Sequence, residues 1–201
     1  QLGWKFFKDD IWRFPIGLNP NYGIYFDGSI VFSDSIPIFA IFFKSIKFFL
    51  PENFQYFSLW ILTCIYLQLF FSFKIIFKIT NNLSYSLVGS LFFCTATIFI
   101  NRSGLHLSLM GQWILLSTFY IETTEYKNKL LYKILNLMMS ITIHFYFTII
   151  IILFYMFKAI YDFLQKPTRV GVILKEFSLI SVSSILIMFL VGYFMINLDD
   201  G

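Results

Sequence analysis

Beyond residue 54 the chain consists of long apolar stretches broken by brief polar intervals. Six of them approach the length of about 20 residues that an α-helix needs to cross a bilayer, at 55–77, 83–100, 105–121, 130–146, 147–164 and 177–196. The join inside 130–164 contains neither Gly nor Pro, and its turn is expected at His144-Phe145-Tyr146. One unbroken helix there would exceed about 50 Å at 1.5 Å per residue, too long for a single crossing.

Residues 1–54 read differently. Pro15, Gly17, Pro20, Gly23 and Gly28 prevent a long helix, and Trp4, Phe6, Phe7, Trp12 and Phe14 are interleaved with charges. That mixture suits a segment lying at headgroup level. Within it, residues 36–50 (IPIFAIFFKSIKFFL) end at Pro51. A helix of that length measures about 22 Å, against a hydrocarbon core of about 30 Å. Lys44 and Lys47 share a face with Ala40, while Phe39, Phe42, Phe43 and Ile46 take the other. This is the layout of an amphipathic helix lying in the interface. The expected fold class is an all-α polytopic membrane protein. It has a polar segment at 1–54 carrying one interfacial helix, then a bundle of about six transmembrane helices at 55–201.

The charges fix an orientation. Lys74 and Lys78 flank the first loop of the bundle, Lys127, Lys129 and Lys133 the third, and Lys158, Lys166, Arg169 and Lys175 the fifth. The loops between them carry only Arg102. Short basic loops mark the cytoplasmic side. The segment 1–54, the Arg102 loop and the final Asn-Leu-Asp-Asp-Gly are therefore expected on the outer face of the membrane.

Composition agrees. A chain that is 58% apolar and 22% aromatic, with mean hydropathy +0.76, holds more apolar surface than 201 residues can enclose in water. The net charge of +4 is no nucleic-acid signature, because nine of the fifteen basic residues are the loop set just named. Those residues suit anionic membrane lipid. Cys64 and Cys94 lie in apolar stretches without metal-ligand spacing and read as small buried hydrophobes. The chain begins with Gln1 and opens without a signal peptide. It is expected to be a piece of a longer polytopic protein.

Four polar groups collect on the expected outer face. In FSDSIPI, Asp34 or Ser35 can cap the interfacial helix, with Pro37 in its first turn. Asp34 can instead act as a carboxylate at the membrane surface, taking a proton or helping to hold a divalent cation. In NRSGLHLSLMGQW, Arg102 opposes the orientation bias, and its fork suits phosphate or pyrophosphate. His106 follows one turn later, with Gln112 and Trp113 deeper. Capping or pairing with an outer acid is the competing account of Arg102. In WRFPIG, Trp12 and Arg13 can stack on and hydrogen-bond a sugar or headgroup, or simply anchor the interface. His144 with Tyr146 forms the fourth group, at an outer turn. The chain carries no Gly-rich phosphate loop, HExxH, GxSxG or CxxC. It also lacks the run of buried acids expected of a proton-driven transporter.

The tracts GWKFFKDDIWRFPIG, SIVFSDSIPIFAIFFK, LPENFQYFSLWILTCIYLQ and NRSGLHLSLMGQWILL, in that order, resemble the DUF6311 family of bacterial membrane proteins. That family is similar to the GT-C superfamily of polytopic glycosyltransferases, which use polyprenyl-phosphate-linked sugar donors. The resemblance implies a large outer loop with two short juxtamembrane helices, an acid near the first and an acidic-Pro element opening the second. Asp34 with Pro37 looks like that second element, and the principal acid would precede the tract ending at Lys8. Arg102, His106, Gln112, Trp113, Trp12, Arg13, His144 and Tyr146 are then substrate-binding candidates, with Asp34 catalytic. The implied activity is transfer of a sugar from a polyprenyl-phosphate donor to a periplasmic or lipid-linked acceptor. The alternative is a non-enzymatic transporter of polyprenyl lipid or polysaccharide, or an assembly scaffold.

Overall fold

The computed structural model describes residues 2–22, 26–165, 170–195 and 197–198. Lys166, Arg169, Gly23 and the terminal residues 199–201 lie outside the described residues. Two short helices, α1 (Leu2–Asp9) and α2 (Pro37–Ser45), belong to the polar segment, and α3 (Phe57–Thr80) opens the bundle. There follow α4 (Leu83–Thr95), α5 (Thr97–Leu105), α6 (Trp113–Thr123), α7 (Lys129–Ile143), α8 (Phe145–Gln165) and α9 (Val170–Val191). The chain is nearly all-α. Among the described residues α3, α8 and α9 are each long and apolar enough to cross a membrane. The α4–α5 pair also passes that test together, bent by 43°.

Each run of helix returns towards the end it came from. The loop before α3 is held beside Asp34, because the Tyr56 hydroxyl donates to the Ser35 carbonyl. At the far end of α3, Lys78 donates to Thr124 Oγ1 at 3.1 Å, just past α6. Lys129 and Lys133 at the start of α7 reach Glu122 at 3.2 and 2.8 Å. Lys133 also lies 3.5 Å from Glu176 near the start of α9. Lys78, Glu122, Lys129, Lys133 and Glu176 thus mark one end of the bundle. Asp34, His106 and His144 mark the other, and the end of α9 returns to it.

Several expected helices are broken. The stretch 83–100 runs on to Leu105 but bends at Ala96 (φ −56°, ψ 128°). There Thr95 Oγ1 donates to Leu91 O at 3.1 Å in the last turn of α4. The expected span at 105–121 does not form as one helix. A 3-10 turn occupies Leu107–Met110, and only eleven residues form α6. Gly111 stands at the junction because a Cβ there would come within 2.7 Å of Ile143 Cγ2. The turn between α7 and α8 falls at His144, within the expected tripeptide.

The expected interfacial helix is shorter, and its lysine side is turned inward together with Phe43. α2 ends at Ser45, with a 3-10 turn at Lys47–Phe49. Its buried face carries Pro37, Ala40, Phe43 and Lys44, while Phe42, Phe48 and Phe49 are exposed. The lysines turn inward because acceptors wait there. Lys44 Nζ donates to Ile11 O at 3.1 Å and stands 4.0 Å from the Phe7 ring and 4.8 Å from that of Trp12. Lys47 Nζ donates to Lys8 O at 3.2 Å. These carbonyls belong to the end of α1 and the residues after it, where a cation is favoured.

The polar segment is stitched to the last helix. β1 (Leu18–Asn19) pairs antiparallel with β2 (Phe26–Ser29), which pairs in turn with β3 (Asn197–Leu198). Ser29 Oγ contacts Gly17 O at 2.9 Å and Val191 O at 2.7 Å, and Ile16 N–H donates to Leu190 O at 2.9 Å. Gly17 allows this approach, since a Cβ there would fall 2.0 Å from Val191 O.

Candidate functional site

Asp34 is the hub of the end of the bundle that it marks, and it does not cap α2. The residue before α2 is Ile36, in the left-handed region (φ 46°), with no side-chain cap and Pro37 following. A β-branched residue at positive φ is strained. The turn at Ile36 follows a stretch in which Ser33 Oγ contacts Ser35 Oγ at 2.9 Å and Tyr56 holds the Ser35 carbonyl. Asp34 instead reaches the 3-10 turn before α6. Its Oδ2 accepts from Leu107 N–H at 2.8 Å and its Oδ1 from Ser108 N–H at 3.0 Å. The Ser108 hydroxyl donates to the same Oδ1.

The turn is held from a second side by Trp60, whose indole N–H donates to Leu107 O at 2.7 Å. Residues 106–108 are therefore fixed by an acid from the polar segment and an indole from α3. A carboxylate offers about four lone-pair sites, so three donors leave one free.

His106 ends α5, its N–H bonding Arg102 O at 3.2 Å, and its side chain is exposed. Arg102 occupies the last turn of α5 and is half-exposed. Its guanidinium makes no hydrogen bond or ion pair among the described residues. α5 itself packs against α4 and the 107–110 turn, with Phe99 its buried residue. His144, in the turn outside α7 and α8, lies close enough to Asp34 and His106 for both to act on its charge. Burial pushes its imidazole below the ordinary histidine value; the Asp34 carboxylate opposes this and His106 adds to it. Its Nδ1 accepts from Tyr146 N–H at 3.2 Å, and the Tyr146 ring sits 4.6 Å away.

Asp34, His106, His144 and Tyr146 are thus brought together, with Arg102 on the adjoining turn. Gln112 precedes α6 with no side-chain cap, and Trp113 is buried, stacked on Phe71 at 6.1 Å. Trp113 belongs to the core beneath the site. Trp12 and Arg13 stand apart, beside the Lys44 end of α2, about 10 Å along the helix from Pro37. Arg13 Nε is bound to Asp10 Oδ2 at 3.0 Å. The Arg13 guanidinium holds the Asp10 carboxyl below its ordinary value. Ser108, Tyr56 and Trp60 are parts of the site that the sequence pattern does not single out. Ser108 stands inside the tract that carries Arg102 and His106, and that neighbourhood is the one signal pointing to it.

A divalent cation at Asp34 does not fit these residues. N–H and O–H donors, which repel a cation, occupy its oxygens. Among the described residues no three His, Cys, Asp or Glu side chains gather as a metal site.

The fold and this polar end define a polytopic helical membrane protein with an organised acid–imidazole–guanidinium rim. No curated protein and no solved structure matches the chain. The family model described as a domain of unknown function (DUF6311) matches residues 1–201, and the chain belongs to that family.

Proposed function

We propose that the chain is a GT-C-like glycosyltransferase of the bacterial inner membrane, transferring sugar from a polyprenyl-phosphate donor on the periplasmic face. The six alternating runs of chain would each cross or enter the membrane, with the shorter ones completed by the 3-10 turn and the bent pair. The carrying observation is the Arg102 guanidinium, which makes no hydrogen bond or ion pair among the described residues, one turn before His106 on a rim that Asp34 holds in place. A cation with no protein partner among the described residues, at a membrane surface, would suit an anionic ligand, and the planar fork suits phosphate.

In the proposed reaction an acceptor hydroxyl attacks the anomeric carbon as the carbon–oxygen bond to phosphate breaks. The electron pair leaves with the polyprenyl phosphate, where Arg102 meets the developing charge. The hydroxyl proton passes to an acid of the outer segment. The remaining lone-pair site of Asp34 orients that hydroxyl, and His106 hydrogen-bonds the phosphate or a sugar hydroxyl. His144 and Tyr146 line the same rim. Gln112 and Trp113 support it from below, and Trp12 with Arg13 contacts the headgroup region further out.

A transporter would need functional polar groups near the bilayer midplane. The buried seam between α6 and α7 is polar, but Asn136 already donates to Thr118 Oγ1 at 2.6 Å and accepts from Ser117. Its groups satisfy one another, which favours a structural role.

Native mass spectrometry of the purified full chain with polyprenyl phosphate tests the proposal. Retention by the wild type that Arg102→Ala loses supports a phosphate site at this rim. Equal retention in both, or none in either, removes it.

A further inference from the structure

The opposite end carries a second polar site, between α8 and α9. A hollow of about 40 Å³ is lined by Lys133, Lys158, Asp162 and Glu176 over a floor that includes Tyr155 and Phe177. Lys158 pairs with Asp162, and Lys133 spans Glu122 and Glu176. Both cations and both carboxylates of the hollow keep some exposure, from 14% for Lys133 to 45% for Asp162. They can therefore take further partners. An apolar crevice of about 240 Å³ continues from the hollow towards the Asp34 end. It shares Tyr155, Phe177 and Ile180 with the hollow and extends past Ile152, Ile185 and Met188. α8 and α9 touch only sparsely, so this crevice opens sideways along two membrane-spanning helices.

Depth and charge together identify the occupant. Lys158 lies seven residues before the end of α8 and Glu176 six after the start of α9, so each is about 10 Å inside its helix end. Two cations and two carboxylates around one hollow balance each other. A purely anionic headgroup would meet Asp162 and Glu176 at close range, and a purely cationic one would meet the lysines. We infer that this is a binding site for an aminophospholipid, its phosphate on Lys158 and Lys133 and its ammonium on Glu176 and Asp162. One acyl chain lies in the crevice past Phe177. The primary ammonium donates hydrogen bonds to the carboxylates, which the quaternary ammonium of phosphatidylcholine cannot do.

Native mass spectrometry of the full chain, offered equal amounts of phosphatidylethanolamine, phosphatidylglycerol and phosphatidylcholine, tests the assignment. Phosphatidylethanolamine is retained over both others. Glu176→Gln and Lys158→Ala each reduce its retention about tenfold, the effect of one charge-assisted hydrogen bond. Asp162→Asn, at the most exposed position, gives the same direction if either variant misfolds. Arg102→Ala, at the other end, leaves retention unchanged, which separates this site from the proposed transferase rim. Equal retention of phosphatidylglycerol overturns the assignment. So does wild-type retention of phosphatidylethanolamine in folded variants.

Discussion

Asp34 and Ser108 are joined across 74 positions of sequence: one carboxylate oxygen accepts both the backbone N–H, at 3.0 Å, and the hydroxyl of the serine. The other oxygen takes Leu107 N–H. An acid before α2 therefore supplies the cap for a turn before α6, and the rim carrying His106 depends on it.

Asp34→Asn should unfasten that turn. The amide keeps one oxygen and turns an NH₂ towards donors, so at least one charge-assisted bond of about 1.5–3 kcal/mol is lost. Thermal unfolding in detergent should shift down for Asp34→Asn and stay unchanged for Arg102→Ala. Equal melting of Asp34→Asn and wild type would show that the clamp contributes nothing.

His144 should make the fold acid-sensitive. Burial lowers its folded-state pKa despite Asp34, so the unfolded chain binds the extra proton first as pH falls. Stability contributed by the neutral imidazole is complete above about pH 6.5, the ordinary histidine value. It is lost as pH drops towards the lower folded value. His144→Gln should flatten the melting temperature between about pH 7 and pH 5.

Lys44 should act in the alkaline range. Burial holds its ammonium down to about 8 from 10.5, although the Asp10 charge works against this. The unfolded chain binds more protons between those values, so stability rises with pH across that window. Lys44→Met should remove the rise. At pH 7 it exchanges a buried charge for apolar packing and leaves Ile11 O unpaired. Unfolding at pH 7 and pH 10 distinguishes the variant from the wild type.

Two glycines should separate by sign. Gly104 lies inside α5, and a Cβ added there would meet nothing within 4 Å. Gly104→Ala should therefore stabilise α5 by about 0.5–1 kcal/mol. Gly111→Ala meets Ile143 Cγ2 at 2.7 Å and Ser108 O at 3.2 Å. It should destabilise by about 1–3 kcal/mol and weaken phosphate retention at the rim with it. A melting temperature for Gly111→Ala at or above that of Gly104→Ala would contradict this packing.

The chain's alternation is legible in the sequence because its lysines are concentrated on one set of loops: Lys78, Lys129, Lys133 and Lys158 do gather at one end. The turn at His144 is legible from length alone. Breaks inside apolar stretches are not, since hydropathy is indifferent to whether Gly111 admits Ile143. A helical wheel misplaces Lys44 on α2, because it treats water as its only partner. The carbonyl at Ile11 and the rings of Phe7 and Trp12 lie more than thirty positions away. The residues of the candidate site are visible as types, but the 107–108 clamp on Asp34 is a long-range contact that no local pattern announces.

The Ser29–Val191 contact spans 162 positions, and that separation imposes an order on biogenesis. At about 5–20 residues per second, a ribosome needs about 8–32 s to make the chain between these two partners. The polar segment emerges early and must wait, its strand edge and Gly17 notch unfilled, until α9 has been delivered. Closure of the polar segment is therefore a late event that reports the arrival of the last helix.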